Sequence, residues 1–266
     1  MKNYIKLAKK ILRKGHKEES RIGKTIALHN QTLTFNLKKS FPLMTTKFVG
    51  NKSIVIETLW YLKGTQYINY LEKNNVRVWS KFADSNNSVG KTYSYQFRNF
   101  NNIDQFKEVI AMLNKGKITN RRAIINLYNV GQLKEMSIPP CIACIQFNMF
   151  FEKGKKTLNT SIYQRSGDFC LGVPYDIAEM SLLAHIVAAY TESQVNDITF
   201  FYSNIHIYKD HIKTLKKQIK ERPKKLPQLL INVKAIQKKE PEDLTPDLFE
   251  FVNIPEDRKK FKYKLF

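Results

Sequence analysis

Cysteine is scarce in this chain: Cys141, Cys144 and Cys170 are the only three among 266 residues. So odd and sparse a set builds no disulfide framework, and it points to a reducing cytoplasm. No run of eighteen apolar residues occurs, which excludes a membrane-spanning helix. The opening residues Met1–Lys6 lack the apolar core of a signal peptide. No internal repeat is visible. Acidic residues are also few, 23 Asp and Glu against 45 Lys and Arg, for a formal net charge of +22. Such a chain draws polyanions, whether nucleic acid, phosphorylated metabolites or polyglutamylated folates. Much of the lysine lies in Lys6–Lys17, Lys209–Lys225 and Lys259–Lys264, which reads as solvated helix faces and a tail. No nucleic-acid recognition motif accompanies it. A nucleic-acid-binding or regulatory protein stays as an alternative of another class, whose mark would be steeply salt-dependent RNA binding without turnover.

What is present is enough apolar residue, 42%, for a real core. Tyr4, Leu7, Ala8, Ile11 and Leu12 recur at helical spacing before Gly15. Leu33, Phe35 and Leu37 alternate with polar residues as in a strand. Helices are expected over Ile54–Leu62, Ile103–Leu113, Tyr175–Tyr190 and around Ile212, Leu215 and Ile219. Strands are expected over Ala123–Leu127, Cys141–Phe151, Leu158–Gln164, Ile198–Tyr208 and Pro227–Val233. Cys141–Phe151 reads as buried on both faces and Leu158–Gln164 as its partner. Strands and helices mix without strict alternation, which indicates an α+β fold. The composition turns charged after the last strand, so residues 1–235 read as one domain and 236–266 as a charged, partly ordered tail.

Two stretches carry chemistry. One is Gln164-Arg165-Ser166-Gly167-Asp168-Phe169-Cys170-Leu171-Gly172-Val173-Pro174-Tyr175-Asp176-Ile177; the other is Ile138-Pro139-Pro140-Cys141, continued by Gln146-Phe147. Cys141-Ile142-Ala143-Cys144 also spells a C-x-x-C, for which zinc or redox chemistry are the alternatives. No second ligand pair accompanies it, and strand residues three apart face opposite sides. The two stretches resemble the nucleotide-binding signature and the Pro-Cys nucleophile motif of the thymidylate synthase family. The resemblance runs from about Tyr4 to Val233, with its motifs in the family's order.

That resemblance implies a large mixed β-sheet with packed helices, dimerising through the sheet. It implies Cys141 as the nucleophile that adds to carbon 6 of a pyrimidine, so that carbon 5 can attack an electrophile. A free thiol has a pKa of about 8.5, which nearby positive charge lowers, and Arg165 is the implied source. Glu57 is the implied acid that organises water and proton transfer, and Tyr93 the implied residue ordering water near the nucleophile. Arg21, Arg165 and Ser166 would hold the phosphate, joined by Arg121 and Arg122 from the other subunit of a homodimer; guanidinium forks suit a dianion. Gln164 belongs to the same signature, and His206 and Tyr208, on one side of a strand by period two, would bind the sugar hydroxyl. Lys47, Trp79, Asp168 and Gly172 would face the co-substrate 5,10-methylenetetrahydrofolate, Asp168 through the pterin ring; no metal is implied. The chain departs from the family at Gly50, Ser80, Phe82 and Ile142, and at its Lys262–Phe266 end.

Asp176 stands where the synthases have Asn. Uracil offers a donor at N3 and an acceptor at O4, both of which an amide satisfies. Cytosine reverses that edge: a carboxylate accepts from N4 and, when protonated, donates to N3. The expected substrate is therefore dCMP rather than dUMP. The family members with this Asp, known from bacteriophages, are deoxycytidylate hydroxymethylases, which pass the exocyclic methylene to water. Methylation of dUMP or dCMP with folate oxidation is the alternative. The other reading of Asp176 is a helix cap.

Overall fold

A computed structural model describes residues 1–115 and 121–265. The first helix, α1 (Lys2–Lys14), buries Tyr4, Leu7, Ala8 and Ile11 and stops at Gly15. β1 (His16–Ser20) and β2 (Gly23–Asn36) form a hairpin whose turn carries Arg21. Next come α2 (Asn51–Leu62), α3 (Asn69–Lys73), α4 (Tyr93–Asn99), α5 (Gln105–Asn114) and β3 (Ile124–Asn126). β4 (Ile142–Glu152) and β5 (Lys155–Gln164) pair antiparallel through Lys153-Gly154, both at positive φ (49° and 75°). That geometry marks a tight primed hairpin turn. β6 (Gly167–Asp168), α6 (Gly172–Tyr190), β7 (Gln194–Tyr208), α7 (Ile212–Gln218), β8 (Gln228–Ile231), α8 (Val233–Gln237) and β9 (Phe249–Val252) complete the chain.

The main sheet runs β1-β2-β7-β5-β4-β3, with β6 beside β7. β5 and β6 lie parallel to β7 while the other neighbours are antiparallel, so this is the large mixed sheet of an α+β fold. Parallel neighbours need a crossover, and α6 supplies it between β5 and β7. Helices α2 and α6 are buried almost all round, which is why their apolar pattern is continuous rather than striped. Among the described residues no helix is long and apolar enough to cross a membrane.

Two expectations need correction. β4 is buried on one face only: Ile142, Ile145, Phe147 and Met149 face the core, while Cys144, Gln146, Asn148 and Phe150 stay half-exposed. The open face continues across the sheet, where Thr32, Phe201, Tyr163, Cys144 and Asn126 stand in register. Phe201 and Tyr163 remain 44% and 45% exposed there, a large apolar area to leave in water.

Residues 236–265 are not a loose tail. β9 pairs with β8, and Ile236, Leu244, Leu248 and Phe249 are buried. Lys63 Nζ donates to the Glu242 carbonyl at 2.7 Å, Phe48 N–H to the Lys259 carbonyl at 2.8 Å, and Phe251 meets Phe41 edge-on. Charge counting masked these few apolar anchors, each of which contributes about 1.5–3 kcal/mol when fully buried.

Candidate active site

The site grows from the junction ahead of β4. Arg165 N–H donates to the Cys141 carbonyl at 2.8 Å. Its guanidinium donates through Nε to the Pro140 carbonyl and through Nη2 to the Pro139 carbonyl, both at 2.8 Å. Two prolines cannot donate back, so the fork meets unopposed acceptors and fixes the strand entry. From α4, the Tyr93 hydroxyl accepts from Cys141 N–H at 2.6 Å and Ile142 N–H at 3.2 Å. The same hydroxyl pulls the Cys141 thiol's pKa down. Cys141 is thus held by its backbone on two sides.

Its electrostatics differ from the expectation. Burial pushes the Cys141 thiol up and Asp176 adds to that; Arg165 and Tyr93 pull it down but do not win. Arg165 spends its hydrogen bonds on backbone carbonyls, and desolvation disfavours the thiolate more strongly. Burial thus favours the neutral Cys141 thiol in the ligand-free protein.

Behind Tyr93 lies a chain of aromatic and acidic groups. Trp79 Nε1 donates to Glu57 Oε1 at 2.7 Å, and Tyr61, one turn after Glu57 on α2, contacts the same oxygen at 3.1 Å. The Tyr61 hydroxyl also meets Glu179 Oε2 of α6 at 3.0 Å. Burial pushes Glu57 up to about 7, although Trp79 and Tyr61 pull the other way. A carboxyl poised near neutrality suits proton transfer.

On α6, Asp176 Oδ2 accepts from Gln164 Nε2 at 2.7 Å. Burial pushes Asp176 up to about 6, with Gln164 opposing and Asp168 reinforcing. Asp176 does not cap the helix. Asp168 instead holds the turn ahead of α6, Oδ1 accepting from Cys170 N–H at 2.9 Å and Leu171 N–H at 3.2 Å. Gln164 Nε2 also donates to the Ser166 carbonyl at 3.1 Å, and its own Oε1 is buried without a donor among the described residues. Gly172 opens α6 beside Asp176.

Asp168 links the remaining groups electrostatically to this centre. It acts on Cys141, on His206 and Tyr208 of β7, and on Lys47. The His206 and Tyr208 rings lie 5.2 Å apart edge to face, on one side of the strand as their spacing requires. Lys47 is buried, donates to the Cys170 carbonyl at 2.5 Å, and is lowered by burial to about 8.

The structure thus brings together Cys141, Glu57, Tyr93, Trp79, Arg165, Gln164, Ser166, Asp168, Gly172, Asp176, Lys47, His206 and Tyr208. Arg21 sits exposed in the β1–β2 turn, and Arg121 and Arg122 sit exposed just ahead of β3. The strand order places those two turns at opposite edges of the sheet. Sequence reading passed over Tyr61 and Glu179. The signal lay in their spacing: Tyr61 follows Glu57 by four residues, and Glu179 follows Asp176 by three inside an otherwise apolar helix.

The family model described as Thymidylate synthase matches residues 2–264. A thymidylate synthase of Buchnera aphidicola subsp. Acyrthosiphon pisum (strain APS) is 40% identical over 237 residues, covering 87% of this chain and 88% of its own. Another from subsp. Baizongia pistaciae (strain Bp) is 39% identical over 243 residues, covering 89% and 90%. The chain belongs to the thymidylate synthase family. That family comprises one-carbon transferases that bind dUMP and folate, use methylenetetrahydrofolate as co-substrate and are usually homodimers. Nothing in these relationships supports nucleic-acid binding, and Lys213, Lys216 and Lys217 lie on the solvated outer face of α7.

Proposed function

We propose that this chain transfers a one-carbon unit from methylenetetrahydrofolate to carbon 5 of a pyrimidine deoxynucleotide monophosphate held covalently at Cys141, methylating dUMP. The observation that carries the chemistry is the grip of Arg165 and Tyr93 on Cys141, with the Glu57 carboxyl two side chains away. The names of the relatives favour dUMP. Cys141 adds to carbon 6, and the density pushed to carbon 5 attacks the one-carbon unit. Loss of the carbon 5 proton and departure of tetrahydrofolate leave an exocyclic methylene, which would take a hydride from that tetrahydrofolate, oxidising it to dihydrofolate, as the thiol leaves carbon 6. Tyr93 directs its proton to the sulfur and so favours the thiolate as it forms. Glu57, oriented by Trp79, exchanges protons with the base edge.

The residues fit a folate. Asp168 uses Oδ1 for its turn, leaving the other oxygen of a partly exposed carboxylate to accept from a pterin's N–H donors. Trp79 offers its ring nearby and Lys47 lies beneath the same loop. His206 and Tyr208 bind the sugar, and Arg21, Arg165 and Ser166 hold the phosphate.

A second reading is dCMP hydroxymethylation, in which water takes the exocyclic methylene. Asp176 favours it: the carboxyl is not spent on a cap, and its elevation to about 6 makes the protonated form accessible for donation to cytosine N3. Mass spectrometry of products from methylenetetrahydrofolate and a dCMP/dUMP mixture separates the readings. A dUMP product heavier by CH₂, with folate oxidised, supports methylation. A dCMP product heavier by CH₂O supports hydroxymethylation, and product from neither nucleotide sinks both.

The open sheet face is where a second copy would dock, with Arg121 and Arg122 reaching the partner's phosphate. Charges placed at Tyr163 and Phe201 would meet their own symmetry mates across such a face. The double variant Tyr163→Glu/Phe201→Glu is therefore expected to sediment as a monomer in analytical ultracentrifugation and to lose turnover. A dimer that survives both substitutions would rule out this face.

A further inference from the structure

Glu57 and Glu179 are both buried, 7% and 2% exposed, and both rest on one hydroxyl, that of Tyr61, at 3.1 and 3.0 Å. A phenol has one proton to give. It can satisfy one of the two carboxylates, and towards the other it must accept. Glu57 has a second donor in Trp79. Glu179 has none: its Oε1 is buried without a partner among the described residues. The two carboxyls also act directly on each other's ionisation. Two ionised carboxylates in that position would repel at short range in a dry setting, with an unpaired lone-pair oxygen besides, and both costs are large. One proton placed on the pair removes them together, because a carboxyl O–H can donate to the neighbouring carboxylate.

Among the described residues no cation stands among the main influences on the pair: besides Trp79 and Tyr61, these are the two glutamates themselves and Asp176, three residues before Glu179 on α6. The other titratable groups facing them are Tyr61 of α2 and Tyr175 of α6. Arg258 reaches only Tyr175 among these groups.

We propose that Glu179 is a positioning residue for Glu57: through Tyr61 the two buried carboxyls share one proton, and this pair, rather than Glu57 alone, sets the pH at which the acid can serve the pyrimidine. A dyad of this kind titrates as a unit. Only the kinetic part of the inference rests on the function proposed above, because the proton itself belongs to the ligand-free protein.

The test is infrared difference spectroscopy of the ligand-free protein against pH, following the carbonyl stretch of a protonated carboxyl. The wild type is expected to hold one such carboxyl near neutral pH. Glu179→Gln and Glu57→Gln should each remove it, since the remaining acid then keeps Asp176 as a neighbour but no longer shares the Tyr61 hydroxyl with a second carboxylate, whereas Asp176→Asn should leave it. In the kinetic arm, Glu179→Gln should move the kcat–pH limb of this acid to lower pH by about one unit or more, with little change in KM for the nucleotide. A Glu179→Gln protein that keeps both the protonated carboxyl and the wild-type pH profile overturns the inference. Loss of the band with an unmoved profile refutes the positioning role while leaving the shared proton. A chain that turns over neither dUMP nor dCMP refutes the proposed function, and the infrared result then decides the pair on its own.

Discussion

Replacing Cys141 with serine or alanine is expected to lower turnover by on the order of 10³-fold or more, the scale of losing a covalent nucleophile. The reason lies in carbon 5 of the pyrimidine, which is too poor a nucleophile to act until carbon 6 has been saturated by an external one. Serine in the same place keeps the shape, but an alkoxide is far less accessible than a thiolate, and burial already disfavours the charge at this position. The nucleotide site should persist, because the grip on residue 141 is made by backbone groups. Tyr93 accepts from its N–H and Arg165 donates to its carbonyl. Denaturing mass spectrometry after mixing with nucleotide and methylenetetrahydrofolate should show a nucleotide adduct on the wild type and none on Cys141→Ala. Cys144→Ser, in β4 with its side chain half-exposed, should retain both the adduct and turnover. Retained turnover in Cys141→Ala, or an adduct found at Cys144, would disprove the assignment.

Asp176→Asn is expected to raise the dUMP-to-dCMP ratio of kcat/KM, by up to roughly 10⁴-fold if the side chain reads the base edge directly. An amide donates to O4 and accepts from N3–H of uracil, and presents one wrong partner to each group of cytosine. The carboxyl of the wild type does the reverse. Its elevation to about 6 adds a pH signature with a definite sign. Below that pH the neutral form dominates and can donate to cytosine N3, so the wild-type dCMP-to-dUMP ratio of kcat/KM should rise as pH falls through 6. The Asn variant, having no proton to gain there, should show a flat ratio. Competition kinetics over that range measure both effects. An unchanged ratio in Asp176→Asn would mean that the residue serves Gln164 rather than the base.

Much of the fold could be read directly from pattern. The stripe Tyr4, Leu7, Ala8, Ile11 gave α1 its buried side, and the β4–β5 pairing followed from two adjacent strand patterns. Local periodicity is strong where an element has one wet face. It weakened where that condition failed. The apolar run from Cys141 looked buried on both sides, yet one face is open in the single chain, since side-chain identity does not say whether helix, second copy or solvent covers a strand. The charged composition after Val233 concealed Ile236, Leu244, Leu248 and Phe249, four apolar residues too widely spaced to form a period.

For the site, residue types and their order were enough to point to covalent chemistry at Cys141 and to the acid Glu57, because such chemistry demands particular functional groups in particular motifs. The tertiary structure decided what those groups can do at rest. Arg165 spends its hydrogen bonds on the Pro139 and Pro140 carbonyls, so the Cys141 thiol is raised rather than lowered. Asp168 holds the turn before α6, and Asp176 accepts from Gln164. Tyr61 of α2 and Glu179 of α6, 118 residues apart, meet at Glu57. A motif records which groups are needed, since their chemistry is local. Charge state and hydrogen-bond partnership depend on burial and on neighbours from distant segments, and only the packed chain brings those together.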